Sequence, residues 1–258
     1  MKITAKKSLG QNFLKDHIVL NKIVNACNVG SNDLVIEIGP GKGALTRKLK
    51  SYNCDIIAFE IDNRLKGLLS ELEDDRTIII FEDFMKVDLN KYIKKNYSYI
   101  HIIANIPYYI TNPIIRKILE SPIDITDITL MVQKEVAERL SSEPGHKSYG
   151  ALTIFSNLDY KVVKLFDVSK ESFDPIPKVD SAIVRFQKKN CGYNINNRLK
   201  FNQLINDSFK SKRKTLKNNL KGYDWKKISN ILTRYGYNDM IRAEQIPIDL
   251  FVEISNKV

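Results

Sequence analysis

The sequence predicts an α/β protein with a doubly wound sheet, followed by a small all-helical domain. Between Asn32 and Gln133, short apolar runs alternate with helical stretches, which is the pattern of βαβ units whose sheet is covered on both faces. A glycine-rich turn, Gly39-Pro40-Gly41-Lys42-Gly43, follows the first of these runs. Beyond residue 188 the pattern is helical and basic. Ligands of such a sheet are expected at the carboxyl ends of its strands.

Seven apolar, β-branched runs are predicted to be strands, and helical patterns lie between several of them. The predicted helices include Ala44–Leu49, Asn63–Leu72 and one that starts at Gln133. Parallel strands joined by helices place the loops after the strands at one edge of the sheet. The predicted strands are Leu34–Ile38, Asp55–Glu60, Thr77–Phe81, Tyr99–Ala104, Ile125–Val132, Val162–Phe166 and Val179–Phe186.

The positive charge of the chain is concentrated near its C-terminal end. The 258 residues carry 41 Lys+Arg and 30 Asp+Glu, a net charge of +11. From Gln187 onward there are 15 basic and six acidic residues, so the last 72 residues contribute +9. This asymmetry predicts an anionic partner, either nucleic acid or a membrane surface. A solvated helical face is the simpler explanation of the same charges.

A change of composition at 188–192 is interpreted as a linker between two domains, 1–187 and 188–258. The second domain is expected to contain helices separated by turn signals at Lys221-Gly222 and Tyr235-Gly236. The predicted helices of this domain are Leu199–Phe209, Arg213–Leu220, Trp225–Arg234 and Leu250–Ser255.

Composition excludes several classes of protein. Apolar residues make up 43% of the chain, too many for a disordered protein, and no apolar run reaches the roughly 18–20 residues of a membrane span. The first seven residues lack the apolar stretch of a signal peptide. The cysteines, Cys27, Cys54 and Cys191, are far apart and lack metal-ligand spacing. We therefore expect a cytoplasmic protein with no membrane partner, no disulfide framework and no metal.

Three features around the sheet predict an adenosine-containing ligand. The glycines at 39, 41 and 43 allow a sharp turn and close approach of a ligand to the backbone. Glu60 ends the second predicted strand, where a carboxylate can accept hydrogen bonds from both ribose hydroxyls. Asp83 follows the third strand and is placed to accept the adenine amino group. A nicotinamide dinucleotide and S-adenosylmethionine both satisfy these features.

The segment Asn105-Ile106-Pro107-Tyr108, directly after the fourth predicted strand, favours S-adenosylmethionine. It resembles the Asn/Asp-Pro-Pro-Tyr motif of amino-group methyltransferases. The Asn105 side chain and the Ile106 carbonyl can accept the two N–H bonds of an adenine amine and aim its lone pair at a methyl donor. Pro107 fixes φ without adding a donor. Tyr108 can stack on a base that has left its helix.

Four segments extend this resemblance over nearly the whole chain, and they occur in the order of one family. The sequence resembles the ribosomal RNA adenine N6,N6-dimethyltransferases, most of all the small-subunit (kasugamycin-sensitivity) branch. The resemblance implies a Rossmann-like class I methyltransferase sheet. The segments are Ser8-Leu9-Gly10-Gln11-Asn12-Phe13-Leu14, Glu37-Ile38-Gly39-Pro40-Gly41, Asn105-Ile106-Pro107-Tyr108 and Phe173-Asp174-Pro175-Ile176-Pro177-Lys178-Val179-Asp180-Ser181-Ala182.

The resemblance also implies roles for individual residues. Phe173 would provide the second stacking face for the target adenine, opposite Tyr108. The residues implied to contact S-adenosylmethionine are Gln11, Asn12, Leu14, Gly39, Gly41, Glu60, Asp83 and Asn105. Those implied for catalysis are Asn105, Pro107, Tyr108 and Phe173, and those expected to bind RNA are Lys212, Arg213, Lys214 and Lys217.

The substrate implied by the resemblance is a pair of adjacent adenosines near the 3′ end of small-subunit (16S) rRNA, each methylated twice. The expected partner is the pre-ribosomal small subunit, the expected role is in its biogenesis, and the enzyme is expected to be a monomer. Tyr109 and Thr111 stand where the family commonly has Asn and Ser, a difference placed to affect base entry more than chemistry.

Three other functions are compatible with parts of the pattern. A macrolide-resistance methylase acting on large-subunit rRNA shares the catalytic loop. A nicotinamide-dependent dehydrogenase would use the glycine turn and Glu60, but it gives no role to residues 105–108. A ribosome-assembly or transcription factor could keep the fold without turnover.

Overall fold

The computed structural model describes residues 3–258; Met1 and Lys2, the first residues of the predicted first domain, lie outside the described residues. The chain forms two compact units, and each is assembled from two segments. The first contains the residues up to Ala137 and Val163–Lys188, and the second contains Glu138–Val162 and Lys189–Val258. The helical unit thus includes a segment that precedes the predicted boundary at residues 187 and 188. No helix within residues 3–258 is long and apolar enough to span a membrane.

A seven-stranded mixed sheet forms the centre of the first unit. The strands of the described chain are β1 (Phe13–Leu14), β2 (Leu34–Ile38), β3 (Asp55–Phe59), β4 (Thr77–Ile80), β5 (Ile100–Asn105), β6 (Asp127–Gln133), β7 (Tyr160–Val168), β8 (Phe173–Asp174) and β9 (Ser181–Lys188). The sheet order is β4-β3-β2-β5-β6-β9-β7, and β1 pairs separately with β8. The first five strands in this order, β4, β3, β2, β5 and β6, run parallel to one another, whereas β9 runs antiparallel to β6.

All seven predicted strands are present, with ends that differ by up to two residues. The parallel pairing predicted for the strands between Asn32 and Gln133 is confirmed. Two features were not predicted, and the first is the antiparallel pairing of β9 with β6. The second is the short β1–β8 pair, since a strand of two residues has no periodicity to detect.

The strand order reverses between β2 and β5, and this position determines where a ligand can bind. All five residues of β2 are buried, as expected of a central strand covered on both faces. At this point, where the strand order reverses, the loops after β2 and β5 lead away from each other. A crevice therefore opens at the carboxyl ends of these two strands.

Five of the α-helices in the described residues belong wholly or partly to the first unit. They are α1 (His17–Asn25), α2 (Ala44–Leu49), α3 (Lys66–Leu69), α4 (Thr111–Leu119) and α5 (Lys134–Leu140). Asp16 caps α1 by accepting the backbone N–H groups of Ile18 and Val19. The predicted helix at 63–72 is only one turn of α-helix between two 3-10 turns, in keeping with the low helix propensity of Gly67 at its centre.

The second unit is helical and has its own core. Its helices are α6 (Ala151–Asp159), α7 (Arg198–Ser208), α8 (Leu216–Asn219), α9 (Trp225–Arg234) and α10 (Ile248–Lys257). Tyr149, Phe201 and Phe251 are fully buried in this core. Helix α6 was not predicted. Helix α8 is shorter than the predicted 213–220 because Thr215 caps it, its hydroxyl accepting from the backbone N–H of Asn218.

Candidate active site

A cleft lies at the carboxyl ends of β2 to β5. The loops that follow these four strands form much of its wall, together with the N-terminal segment around β1. These loops contain most of the residues predicted to bind cofactor or to catalyse. Those that line the cleft are Gln11, Asn12, Leu14, Gly39, Gly41, Glu60, Asp83, Asn105, Pro107 and Tyr108.

The glycine-rich turn has backbone angles that other residues rarely adopt. Gly39 and Gly41 have φ values of +69° and +57°, in the left-handed region that favours glycine. A Cβ on Gly41 would lie 3.0 Å from Cδ1 of Phe13. The left-handed φ therefore favours glycine at position 41, and a Cβ there would also crowd the Phe13 ring.

Glu60 is buried beside this turn and is held by two backbone amides. Its Oε2 accepts from the N–H of Gly41 at 3.0 Å, and its Oε1 accepts from the N–H of Asp62 at 2.9 Å. Burial raises the pKa of Glu60 above its ordinary value, although both amides counteract this rise. Each carboxylate oxygen keeps lone-pair capacity toward the cleft, so the group can accept hydroxyl donors.

Asp83 lies on the same side of the cleft, at the start of the 3-10 turn Phe84–Lys86. Its Oδ1 accepts from the N–H of Met85 at 3.0 Å, which fixes the carboxylate as the cap of that turn. Its Oδ2 accepts no hydrogen bond from the residues that the structure describes. Asp83 can therefore receive an amino group from a ligand.

Asn105, the last residue of β5, is oriented by the N-terminal segment. Its Nδ2 donates to the backbone carbonyl of Asn12 at 3.1 Å. No donor within residues 3–258 bonds to its Oδ1. The amide nitrogen can only donate, and its bond to Asn12 fixes the orientation of the group, so Oδ1 is the atom of this side chain that can accept an N–H from a bound base.

Tyr108 follows directly and belongs to a constrained loop. Its hydroxyl shares a hydrogen bond of 2.7 Å with Oγ of Ser181, and burial raises its pKa above the ordinary value. The carbonyl of Pro107 accepts from the N–H of Ile110 at 3.2 Å. Thr111 donates its hydroxyl to the carbonyls of Pro107 and Tyr108. The phenol is therefore protonated near pH 7, at a position that lines the cleft.

The N-terminal segment supplies residues to the cleft wall. Nε2 of Gln11 donates to Oδ2 of Asp62 at 2.8 Å, and its Oε1 accepts from the N–H of Lys6 at 2.7 Å. Both ends of the Gln11 amide are thus engaged within the protein. Leu14 lines the cleft with its side chain, while its backbone pairs with Phe173 in the β1–β8 ladder.

Phe173 differs in its position from the other predicted catalytic residues. The residue is 0% exposed and does not line the cleft. Its ring packs in a buried cluster that also contains Leu14, Met131 and Ile183. The pairing of Phe173 with Leu14 holds it beside the N-terminal segment, and its role as the second stacking face for a target base stays a prediction.

The predicted RNA-binding residues lie in the second unit. Lys212, Arg213 and Lys214 are exposed in the turn between α7 and α8, and no ion pair joins them to any described residue. Lys217 differs from them. Its Nζ lies 2.7 Å from Oδ2 of Asp239 and 5.7 Å from the centroid of the Trp225 ring.

One buried acid in the cleft wall was given no role by sequence. Glu37 of β2 is 2% exposed and accepts a hydrogen bond of 2.7 Å from the hydroxyl of Thr46. Burial raises the pKa of Glu37 to about 8, with a further contribution from nearby Glu60. The sequence signal was an acid between Ile36 and Ile38, inside an otherwise apolar strand. No group of three or more possible metal ligands occurs in the described part of the chain.

Comparison with known proteins identifies the family. The sequence model described as "Ribosomal RNA adenine dimethylase" matches residues 2–258. The chain belongs to this family. It is 39% identical to a protein of Oceanobacillus iheyensis named "Ribosomal RNA small subunit methyltransferase A", over 98% of this chain and 90% of the relative. A protein of the same name from Onion yellows phytoplasma is also 39% identical, over 98% and 96%.

Solved structures show the same fold. A dimethyladenosine transferase from Plasmodium falciparum superposes with a TM-score of 0.78 and 28% identity, over 94% of this chain and 95% of the other. The 23S rRNA methyltransferase ErmE superposes with a TM-score of 0.76 and 23% identity, over 95% and 98%. These findings confirm the predicted Rossmann-like methyltransferase fold and the prediction that the chain is an rRNA adenine dimethyltransferase.

Proposed function

We propose that this enzyme uses S-adenosylmethionine to methylate N6 of two adjacent adenosines near the 3′ end of small-subunit rRNA, each of them twice. The observation that carries the proposal is the state of Asn105. Its amide nitrogen is bound by Asn12, and its free oxygen is in the wall of a cleft suited to an adenosine-containing donor. The names of the relatives support the small subunit as the substrate.

The residues of the cleft fit S-adenosylmethionine. The backbone of Gly39 and Gly41 leaves room for close approach, and Glu60 offers carboxylate oxygens to ribose hydroxyls. The free Oδ2 of Asp83 suits an adenine amino group. When bound, S-adenosylmethionine supplies an electrophilic methyl group on a sulfonium.

The protein's contribution to chemistry is positioning. Oδ1 of Asn105 would accept one N–H of the target amine, and the backbone carbonyl of Ile106 would accept the other. Both contacts favour a pyramidal nitrogen with its lone pair directed at the donor. No strong base is required, because the proton can leave after transfer, and orientation of reactants can account for much of the rate.

The target base would stack on Tyr108, whose ring is steadied through its hydroxyl bond to Ser181. Tyr109 is 61% exposed at the mouth of the same cleft. Its ring lies against the Gly10 turn, since a Cβ on Gly10 would come within 2.9 Å of Cδ1 of Tyr109. We assign Tyr109 to the path of base entry, as its position beside Tyr108 suggests.

The basic turn at 212–214 is proposed to bind the rRNA backbone together with Lys217. The proposed partner is the pre-ribosomal small subunit. The enzyme is proposed to be cytoplasmic and monomeric and to act in small-subunit biogenesis. The division of the chain into a methyltransferase domain, 1–187, and an RNA-binding domain, 188–258, is also part of this proposal.

Incubation of the enzyme with S-adenosylmethionine and undermethylated small subunits tests the proposal directly. Methylation of purified large-subunit rRNA instead would assign the enzyme to the resistance type.

A further inference from the structure

Lys117 joins the helix after the catalytic loop to the loop that contains Asp83. It lies on α4, which begins at Thr111, directly after residues 105–110. Its Nζ donates to the backbone carbonyls of Met85 at 2.9 Å and Val87 at 2.7 Å, about 30 positions earlier in the chain. A single ammonium group therefore bonds twice to a segment from another part of the sheet edge.

The surroundings of Lys117 strengthen its two hydrogen bonds to backbone carbonyls. Its Nζ lies 5.3 Å from the centroid of the buried Phe84 ring, within the range of a cation–π interaction. Burial lowers the pKa of Lys117, while the charges of Asp83 and Asp88 counteract this fall. Hydrogen bonds from a charged, partly desolvated donor are stronger than those between neutral groups.

The segment that Lys117 holds is the one that orients Asp83. Met85 donates its N–H to Oδ1 of Asp83, and its carbonyl accepts from Lys117. Phe84, which lies between Asp83 and Met85 in the sequence, packs against Phe59 at the end of β3. The carboxylate of Asp83 is therefore fixed through Met85, and Met85 is fixed through Lys117.

We propose that Lys117 is a positioning residue that sets the Asp83 carboxylate for recognition of the adenine amino group of the methyl donor. The proposal rests on the proposed function, which assigns that contact to Asp83. Lys117 acts through the loop, and it also ties the cofactor side of the cleft to the helix that follows Asn105-Ile106-Pro107-Tyr108. The expected consequence of its loss is reduced discrimination between 6-amino and 6-oxo purines.

The test compares the affinities of the whole enzyme for S-adenosylhomocysteine and S-inosylhomocysteine, in which an oxygen replaces the adenine amino group. Wild type is expected to prefer the amino compound, and Lys117→Met to lose at least about fivefold of that preference. Lys117→Arg, which keeps two donors, should retain most of it. Arg116→Met is the matched control, because Arg116 is the neighbouring residue on α4 and, among residues 3–258, its side chain pairs with exposed Glu120 alone.

A double-mutant comparison separates positioning from general stability. If Lys117 acts through Asp83, Lys117→Met should change the preference little in an Asp83→Ala background. Thermal unfolding of each variant is measured alongside, and Lys117→Gln replaces Lys117→Met should the latter not fold. A lower Tm with an unchanged preference would show that Lys117 is only structural, and it would overturn the inference.

The same data distinguish the two levels of the proposal. A wild-type enzyme that prefers the amino compound, together with a Lys117→Met variant that keeps this preference, contradicts only the role of Lys117. A wild-type enzyme that binds both compounds equally contradicts the assignment of Asp83, and the inference about Lys117 fails with it.

Discussion

Replacement of Asn105 with alanine is the most informative single substitution in the site. The change removes the donor that bonds Asn12 at 3.1 Å and the free Oδ1 proposed to accept the target amine. The fold should survive, because one hydrogen bond of this kind has a net contribution of about 1 kcal/mol. Cofactor affinity should fall by less than about tenfold, since the glycine turn and Glu60 are unchanged.

The effect on methyl transfer should be much larger. Loss of one preorganised polar group at a reacting centre typically lowers kcat by about 10²–10³-fold, or about 2.7–4 kcal/mol. We therefore expect Asn105→Ala to reduce single-turnover methylation of small subunits by at least this factor. The assay uses saturating labelled S-adenosylmethionine, with cofactor affinity measured separately by calorimetry.

Two variants make this result interpretable. Asn112→Ala, an exposed asparagine in the first turn of α4, should be close to wild type. Asn105→Asp loses the donor to Asn12 and places a carboxylate oxygen against its carbonyl, so it should be impaired. It should be impaired less than the alanine variant, because it keeps an acceptor oxygen for the target amine. Full activity of Asn105→Ala, with intact cofactor binding, would refute the proposed role of the side chain.

Four further predictions follow from the structure. Gly41→Ala should destabilise the fold by about 1–2 kcal/mol in denaturant titration, because φ is +57°, and should weaken cofactor binding as its Cβ crowds Phe13. Tyr108→Phe should change kcat by less than about tenfold, whereas Tyr108→Ala should also lose base stacking of about 1–3 kcal/mol. Alanine at residues 212–214 should lower the salt slope of RNA binding by about two to three. Glu37→Gln should reduce the loss of stability toward alkaline pH.

The last of these predictions depends on the sign of the proton linkage. Folded Glu37, with a pKa of about 8, retains a proton that the unfolded chain releases above pH about 4.5. The folded state thus binds more protons between these values, and stability decreases as pH rises through the window. The slope from this group is at most about 1.4 kcal/mol per pH unit. Parallel stability curves for wild type and Glu37→Gln from pH 5 to 8 would argue against a buried, protonated acid.

Each of the other three has its own contrary result. Unchanged unfolding and cofactor affinity in Gly41→Ala would show that the turn tolerates a Cβ. Equal activity of Tyr108→Phe and Tyr108→Ala would mean that the ring does not stack on the target. An unaltered salt slope after removal of the three basic residues at 212–214 would place the RNA contact elsewhere.

Local pattern was sufficient to predict the sheet and much of the cleft. Glycines after a strand, an acid at the end of the next strand and Asn105-Ile106-Pro107-Tyr108 are each recognisable within a few residues. Parallel topology then brings the ends of neighbouring strands to one edge. For this reason the residues predicted around the glycine turn, Glu60, Asp83 and Asn105 line one cleft in the structure.

Long-range contacts were the part that the sequence could not provide. Phe173 is buried because it pairs with Leu14, about 160 positions earlier, through strands of only two residues. Lys117 is one of many lysines, and the sequence around it does not indicate that its ammonium group bonds two carbonyls of another loop. Glu37 is different, since an acid between apolar residues of a central strand could have been singled out.

The central claim is tested most directly by mapping methylated positions. The protein is incubated with S-adenosylmethionine and undermethylated small subunits, and the rRNA is digested and analysed by mass spectrometry. We predict N6,N6-dimethyladenosine at two adjacent positions near the 3′ end of small-subunit rRNA, formed at least about 100-fold more slowly by Asn105→Ala. No methylation of small subunits by the wild-type protein, whether or not it methylates large-subunit rRNA in a parallel incubation, would contradict this assignment.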